Sequence, residues 1–369
     1  MATRLIRVLL VLLAGCQTYQ FEPVKPVIIV VEPIEIELQA VLTPNVMMAV
    51  DRSGSMAATT SMEPSCRGCT TGTCPAACPT RMRDLQESVS TFTSLAQERL
   101  RLGLTVFPQE TVEPGAGAAC RAPTSVQVPL PPAARVDDAA ARATNRTSAM
   151  QVNLAVQRLT PGGGTPTGAT LAFLSREPGL TNQTDFRPDY VLLLTDGLPN
   201  CNESNPNDFV TDAAVCRCQS GTGDCSGALR RRGCLDADGT VAQVEALSNL
   251  GVKTIVVGFG ADTGQVDARE VLGRLATAGR FGPAFQASNR AELEEVLRRI
   301  LIEVTPVPCQ YELPSQPISN GSVSLQVNGA PVAQGESTWR VSGRSLTLDP
   351  VFCEANLGSK LSVRIASSP

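Results

Sequence analysis

The sequence of 369 residues contains no histidine. Histidine is the side chain that most often acts as a general base near neutral pH, and it completes Ser-His-Asp triads, Cys-His pairs and most catalytic zinc sites. Composition alone therefore excludes all of these active sites. An enzyme with this sequence would have to rely on carboxylate or lysine chemistry, and no pairing of a nucleophile with a base is evident in the chain. We expect a binding protein and not an enzyme.

The sequence also lacks a large excess of charge of one sign and any long basic run. The formal net charge is -4 at pH 7, and Arg230, Arg231 and Arg232 form the only notable basic cluster. Three arginines in a loop rich in glycine and cysteine are typical of a solvated loop tip, because nucleic-acid binding needs a broader basic stripe. We therefore expect no nucleic-acid partner.

Near the N-terminus there is no apolar run long enough to span a bilayer. Two arginines precede the short run Val8–Leu13, a pattern that indicates an export signal over residues 1–15. Leu13-Ala14-Gly15-Cys16 resembles the bacterial lipobox, which implies that Cys16 is acylated and anchors the protein to a membrane without crossing it. An ordinary signal peptide that happens to contain a cysteine is the alternative. Gln17 after the cysteine, where an aspartate would signal retention, favours the outer membrane.

Twelve cysteines remain after Cys16 in a chain with an export signal, so we expect disulfide bonds. Cys309 and Cys353 are the only two in the C-terminal part of the chain, and we expect them to pair. The other ten cannot be paired from the sequence: Cys66, Cys69, Cys74, Cys78, Cys120, Cys201, Cys216, Cys218, Cys225 and Cys234. A zinc site formed by the first four of these is the alternative to disulfides.

Alternating strand and helix patterns predict a doubly wound α/β domain over residues 44–305. Four short runs are apolar on both faces, as expected of strands buried between helix layers in a mainly parallel, Rossmann-like sheet. These predicted strands are Val46–Val50, Leu102–Phe107, Tyr190–Leu194 and Val252–Phe259.

Helical patterns separate the predicted strands. The first has apolar residues at helical spacing: Leu85, Val89, Phe92, Leu95 and Ala96. Met150–Leu159 follows the same spacing more loosely. Thr240–Gln243 is typical of a capping box that opens a helix, and Asn289 is a candidate N-cap for a helix over Arg290–Val304. Asp236–Gly239 superficially resembles a calcium loop, but its glycine is misplaced and no bidentate glutamate follows, so we expect a turn.

Different patterns flank this domain. Residues 16–43 are punctuated by prolines and predict a tether, with Val27–Val31 and Ile34–Leu38 available as edge strands. Residues 306–369 contain short alternating segments separated by turn residues, including Asn328-Gly329 as a hairpin turn. We expect a small β-sandwich there, closed by the single C-terminal disulfide.

Three polar segments fall where loops should converge on one end of the predicted sheet. Asp51-Arg52-Ser53-Gly54-Ser55 follows the first strand, Thr195-Asp196-Gly197 follows the third, and Thr165 lies in a glycine-rich loop before a helix. Individually these segments could be ordinary helix caps and a turn. Because open α/β sheets bind ligands at the carboxyl ends of their strands, the common placement of the three segments favours a shared site.

The order Asp-X-Ser-X-Ser, then Thr, then Asp resembles the metal-ion-dependent adhesion site of von Willebrand factor A domains. The resemblance implies that Ser53, Ser55 and Thr165 supply hydroxyl ligands to a metal ion, and that Asp51 and Asp196 bind it directly or through water. Oxygen-only ligation suits Mg²⁺, Mn²⁺ or Ca²⁺. Two carboxylates leave the ion incompletely neutralised, and in the family a carboxylate of the partner completes its coordination.

This resemblance implies a metal-dependent adhesin or receptor on the cell surface, whose partner offers an acidic residue. The combination of a lipoprotein signal, an A-type domain and cysteine-rich loops is also similar to the surface adhesins of gliding bacteria. An envelope scaffold or assembly protein, using the same metal face on a periplasmic partner, is the alternative.

Overall fold

The structure is a computed structural model, and it describes residues 29–30, 33–38, 42–61, 63–69, 73–75, 77–109, 119–134, 137–181, 185, 187–208, 216, 231–305, 309–317, 319–356 and 359–367. The export signal over residues 1–15, the lipidation site Cys16, the cysteines Cys218 and Cys225, and Arg230 lie outside the described residues. Two compact units are present, one within Ala40–Pro308 and the other within Met1–Gln39 together with Cys309–Pro369.

Strands and helices alternate in the first unit, and strands dominate the second. In chain order the strands are β1 (Ile29–Val30), β2 (Ile34–Glu37), β3 (Asn45–Asp51), β4 (Arg101–Phe107), β5 (Asp189–Thr195), β6 (Val252–Phe259), β7 (Phe285–Ala287), β8 (Gln310–Glu312), β9 (Val323–Val327), β10 (Ala330–Val332), β11 (Trp339–Ser342), β12 (Ser345–Leu348) and β13 (Lys360–Ser367). The helices are α1 (Arg81–Ala96), α2 (Ala139–Val156), α3 (Thr167–Leu174), α4 (Pro178–Thr181), α5 (Ala237–Asn249), α6 (Val266–Gly279), α7 (Arg290–Val304) and α8 (Pro350–Ala355). Of the helices described, none is both long and apolar enough to cross a membrane.

The described part of the α/β unit contains a sheet of five parallel strands in the order β4-β3-β5-β6-β7. All four strands predicted from apolar runs are confirmed, and β7 is an additional short edge strand. β3, β4 and β5 are buried along their whole length, because helices cover both faces of the sheet. The strand order reverses at β3, which has β4 on one side and β5 on the other, and such a reversal opens a crevice at the carboxyl ends of the strands.

Helices pack on both faces of the parallel sheet, which confirms the doubly wound arrangement. On one face, α1, α2 and α7 share a core with the sheet that includes Phe92 and Leu297. On the other, α3, α5 and α6 share a second core that includes Leu171 and Leu272. Each such side chain stabilises the fold by roughly 1.5–3 kcal/mol when fully buried. Leu95 was predicted on the apolar face of α1 but is 49% exposed, so that part of the prediction was wrong.

One predicted helix start is confirmed and another was wrong. Asn289 caps α7, since its side-chain oxygen accepts a hydrogen bond of 3.1 Å from the backbone N–H of Glu292. Helix α5 begins at Ala237, ahead of the capping box predicted at Thr240–Gln243, and the turn expected at Asp236–Gly239 is mostly its first turn. Asp236 is buried, and its carboxylate accepts a hydrogen bond of 2.9 Å from the Asn202 amide, which anchors the helix at this earlier point.

The second unit consists of antiparallel sheets. In one, β13 pairs with β1, β2 and β9, and β9 also pairs with β10; in the other the order is β11-β12-β8. Side chains of both sheets, among them Leu325, Trp339 and Val363, enclose one core, beside which a disulfide joins Cys309 and Cys353. The strand-like pieces of the expected tether therefore pair with the last strand of the chain, far away in sequence.

Candidate metal centre

The polar segments after β3 and β5 meet at the carboxyl end of the parallel sheet. β3 ends at Asp51, and the neighbouring strand β5 ends at Thr195, next to Asp196. In the turn after β3, the hydroxyl oxygens of Ser53 and Ser55 are 3.0 Å apart. The Ser55 hydroxyl donates to Asp196 Oδ1 at 2.8 Å, and the Ser53 hydroxyl lies 3.4 Å from the same oxygen. The two serines and Asp196 thus form one hydrogen-bonded group.

Thr165 reaches the same place from the loop before α3. The loop turns at Gly163, whose positive φ of 83° favours glycine. The Thr165 N–H donates to Asn200 Oδ1 at 2.8 Å, and the Asn200 N–H donates to the Thr165 carbonyl at 2.9 Å. The hydroxyl oxygens of Ser55 and Thr165 lie 3.8 and 4.0 Å from the position of a Cβ atom added at Gly197. Both hydroxyls therefore lie close to Gly197, the residue that follows Asp196.

Asp51 is fully buried behind these hydroxyls, and both of its oxygens accept hydrogen bonds. The Ser53 N–H donates to Oδ1 at 2.7 Å, and the Thr195 hydroxyl donates to Oδ2 at 2.7 Å. Burial, together with the charge of the nearby Asp196, raises the pKa of Asp51 to about 7. A carboxylate held in this way gains from any positive charge placed beside it.

A buried arginine that the sequence reasoning missed lies against Asp196. Arg81, the first residue of α1, is 6% exposed; its Nη1 donates to Asp196 Oδ2 at 2.9 Å and its Nη2 to Asp262 Oδ2 at 2.5 Å. Burial lowers the pKa of Arg81, but the two carboxylates raise it above its ordinary value. Burial also raises the pKa of Asp196, although the Arg81 guanidinium opposes this shift. The site therefore contains a permanent positive charge beside one of its two carboxylates.

The backbone is adapted to this arginine at Gly260. Its φ is 106°, and a Cβ atom at this position would lie 2.7 Å from Arg81 Nε. One sequence signal could have revealed Arg81, because it lies one turn before Leu85 on the buried face of α1. A charged residue in an apolar stripe needs a buried partner. Nothing comparable in the sequence marks Asn200, whose role depends on which loops meet.

The donor chemistry of this group fits a hard divalent cation. Three hydroxyls and two carboxylates are gathered at one strand end, and Ser55 is exposed, so solvent reaches them. Within the described ranges there is no group of three or more His, Cys, Asp or Glu side chains that could hold a metal ion. The described residues therefore provide no thiolate or imidazole metal site. Oxygen donors that carry little total charge suit Mg²⁺, Mn²⁺ or Ca²⁺.

Disulfides cross-link the loops that leave this end of the α/β unit. The described pairs in this unit are Cys66–Cys78, Cys69–Cys74, Cys120–Cys201 and Cys216–Cys234. The four cysteines considered for a zinc site therefore pair with one another.

No family model and no curated protein matches this chain. Among solved structures it is similar to the pilus adhesin SpaC from Lactobacillus rhamnosus GG, with 16% identity, a TM-score of 0.47 and 89% of this chain covered. The chain spans 40% of the length of SpaC. It is also similar to the vWF domain of the type V pili tip protein Mfa5 from Porphyromonas gingivalis, with 13% identity, a TM-score of 0.41, and 73% of this chain and 98% of that one covered. A third similar structure is the manganese-loaded TRAP protein of Plasmodium vivax, with 15% identity, a TM-score of 0.39, and coverages of 75% and 79%. The strand order and parallel register of the sheet define the fold.

Proposed function

We propose that this protein binds a divalent cation at the carboxyl end of its parallel sheet and uses the bound ion to hold an acidic group of a partner. The ligands would be the residues with the Asp-X-Ser-X-Ser, Thr and Asp pattern of a von Willebrand factor A domain: Asp51, Ser53, Ser55, Thr165 and Asp196. The observation that carries the proposal is their convergence, since segments distant in the chain bring hydroxyl and carboxylate oxygens to one strand end.

Charge explains why the partner should be acidic. Neutral hydroxyls contribute no charge, and the two carboxylates balance the charge of a divalent ion only if no other charged group lies nearby. Arg81 adds one positive charge at 2.9 Å from Asp196. Asp262, which also pairs with Arg81, is 66% exposed, so water screens its charge. The buried part of the site with its ion therefore carries an excess positive charge, which a carboxylate from the partner neutralises. The bound ion supplies a coordination position for that carboxylate.

We further propose that the partner is met at the cell surface. Acylation of Cys16 would attach the protein to the outer membrane, in the manner of the surface adhesins of gliding bacteria, with Gln17 favouring that membrane. The alternative is a scaffold role on a periplasmic partner. Protease added to intact cells distinguishes the two: cleavage of the protein without lysis supports surface exposure, and protection until the outer membrane is opened supports the periplasmic role.

Replacing single ligands is expected to remove metal binding while leaving the fold intact. By calorimetry with Mg²⁺ and Mn²⁺, Asp51→Asn should weaken binding by more than about 100-fold and Thr165→Val by about tenfold, since even indirect supports of a metal ligand contribute about 10–100-fold. Asp238→Asn and Thr277→Val are matched controls, because both side chains are exposed on other helices. A folded parent that binds neither ion would contradict the proposal.

Metal affinity is expected to depend on pH through Asp51. Because its pKa is raised to about 7, the metal-free protein holds a proton there below pH 7, and a cation must displace that proton. Affinity for Mg²⁺ should therefore increase by up to about tenfold per pH unit as pH rises toward 7, and level off above it. Calorimetry in buffers of different ionisation enthalpy would measure the released proton; affinity that falls from pH 6 to pH 8 would count against Asp51 as a ligand.

A further inference from the structure

A disulfide spans the loop that presents Thr165. On one side of this loop, the Ala119 carbonyl accepts a hydrogen bond of 2.8 Å from the Gly164 N–H. The same carbonyl oxygen would lie only 2.7 Å from a Cβ atom added at Gly163, so the two backbones are in close contact. The residue after Ala119 is Cys120, and it is bonded to Cys201.

The other side of the loop is held by the residue that precedes Cys201. Asn200 exchanges two hydrogen bonds with Thr165, one through its side-chain oxygen and one through its backbone N–H. The Cys201 N–H in turn donates to the Arg232 carbonyl at 2.8 Å, which ties this flank to the segment before α5. Thr165 and the two glycines before it are therefore enclosed between Ala119 and Asn200, whose next residues form the disulfide.

This disulfide differs from the others described in the α/β unit. Its cysteines are 81 residues apart, whereas the other pairs are separated by 12, 5 and 18 residues and staple local loops. A covalent cross-link prevents two distant segments from separating. Hydrogen bonds at a solvent-accessible loop restrain such segments only weakly. The Thr165 loop also contacts the first polar segment, because the Gly54 N–H donates to the Gly163 carbonyl at 2.9 Å.

We propose that the Cys120–Cys201 disulfide is a positioning element of the metal centre that fixes Thr165 in its ligating place. This inference rests on the proposed function, since it assigns a task to the disulfide only if Thr165 is a ligand. The disulfide acts through its two flanks: Ala119 limits the loop from one side, and Asn200 aligns Thr165 from the other.

The test is a comparison of Mg²⁺ affinity in disulfide variants of the purified protein. The double variant Cys120→Ser with Cys201→Ser is expected to bind Mg²⁺ about tenfold more weakly than the parent, as for other losses of support behind a metal ligand. The matched control, Cys69→Ser with Cys74→Ser, removes a local disulfide of the same unit and should leave the affinity within about twofold of the parent, because no such support is lost.

A double-mutant cycle with Thr165→Val separates positioning from general stability. If the disulfide acts by placing the Thr165 hydroxyl, removing the disulfide in the Thr165→Val background costs no further affinity for Mg²⁺. If it only keeps the unit folded, the two losses multiply, and the proposal is overturned. Unchanged affinity in the folded double-serine variant overturns it equally.

A second variant covers the case in which the double-serine protein does not fold. Asn200→Ala retains the disulfide but removes the side-chain hydrogen bond to the Thr165 N–H. It should bind Mg²⁺ more weakly than the parent. In the Thr165→Val background, the same substitution should cost no further affinity. Full affinity in Asn200→Ala would overturn the proposal. A parent that binds no Mg²⁺ would instead refute the proposed function itself, so the two failures are distinguishable.

Discussion

Replacing Arg81 with methionine is expected to lower the free energy of unfolding by about 3–5 kcal/mol in the absence of metal, because removing one partner of a buried ion pair leaves the other charge uncompensated. The Asp196 side chain is fully buried, and Arg81 is its only charged partner at 2.9 Å among the described residues. Asp262 contributes little to this loss, since its side chain is 66% exposed and water replaces the arginine there. Urea denaturation at pH 8 in a chelating buffer would measure the effect.

Divalent metal is expected to recover part of this loss. In Arg81→Met the two carboxylates would balance a divalent ion without excess positive charge, so Mg²⁺ should raise the melting temperature of the variant by more than it raises that of the parent. Mg²⁺ should also bind the variant more tightly in the absence of an acidic ligand, and adding acetate should increase the affinity less than in the parent. Equal shifts in both proteins would show that Arg81 does not set the charge of the metal centre.

Replacing Arg187 with methionine should have a stability effect of similar size at the opposite end of the sheet. Arg187 is fully buried, lies 2.9 Å from Asp137 and 3.7 Å from Asp185, and donates to the carbonyl oxygens of Ala134 and Thr43. Its loss removes the guanidinium from two carboxylates and from two carbonyl groups, which we expect to cost about 3–5 kcal/mol. Urea denaturation would again measure it.

The two arginine variants serve as controls for each other. Arg187 lies near the amino ends of β3 and β5, where Thr43 and Asp185 precede the strands, and the metal ligands follow their carboxyl ends. Mg²⁺ is therefore expected to stabilise Arg187→Met by the same amount as the parent. Selective recovery of Arg81→Met would assign the effect to the metal centre, whereas recovery of both variants would indicate nonspecific screening of charge.

Parts of the molecule that depend on local sequence could be predicted. The strands β3, β4, β5 and β6 are mainly apolar on both faces, as expected of strands in a parallel sheet that helices cover on both sides. The N-cap Asn289 lies three residues before its hydrogen-bond partner, so its signal is contained in a few neighbouring positions. The start of α5 could not be read in the same way, since Asp236 is fixed by Asn202 from another loop.

The candidate site could be predicted from the sequence only in part. Its five polar residues could be chosen from the sequence because the carboxyl ends of parallel strands meet at one edge, so each segment after a strand has a predictable destination. Three further residues bond to members of this set, but the sequence could not assign them roles: Thr195, Asn200 and Arg81. Each of these bonds joins residues that are far apart in the chain.

By itself the sequence determined the absence of histidine chemistry, the doubly wound sheet and the residues gathered at its carboxyl end. Only the tertiary structure decided which cysteines pair, that β1 and β2 join β13, and that Arg81 lies beside Asp196. The physical reason is the range of the interactions. Periodicity, capping and strand-end placement arise from neighbouring residues, whereas a disulfide over 81 residues or a buried ion pair over 115 exists only once folding has brought two distant segments together.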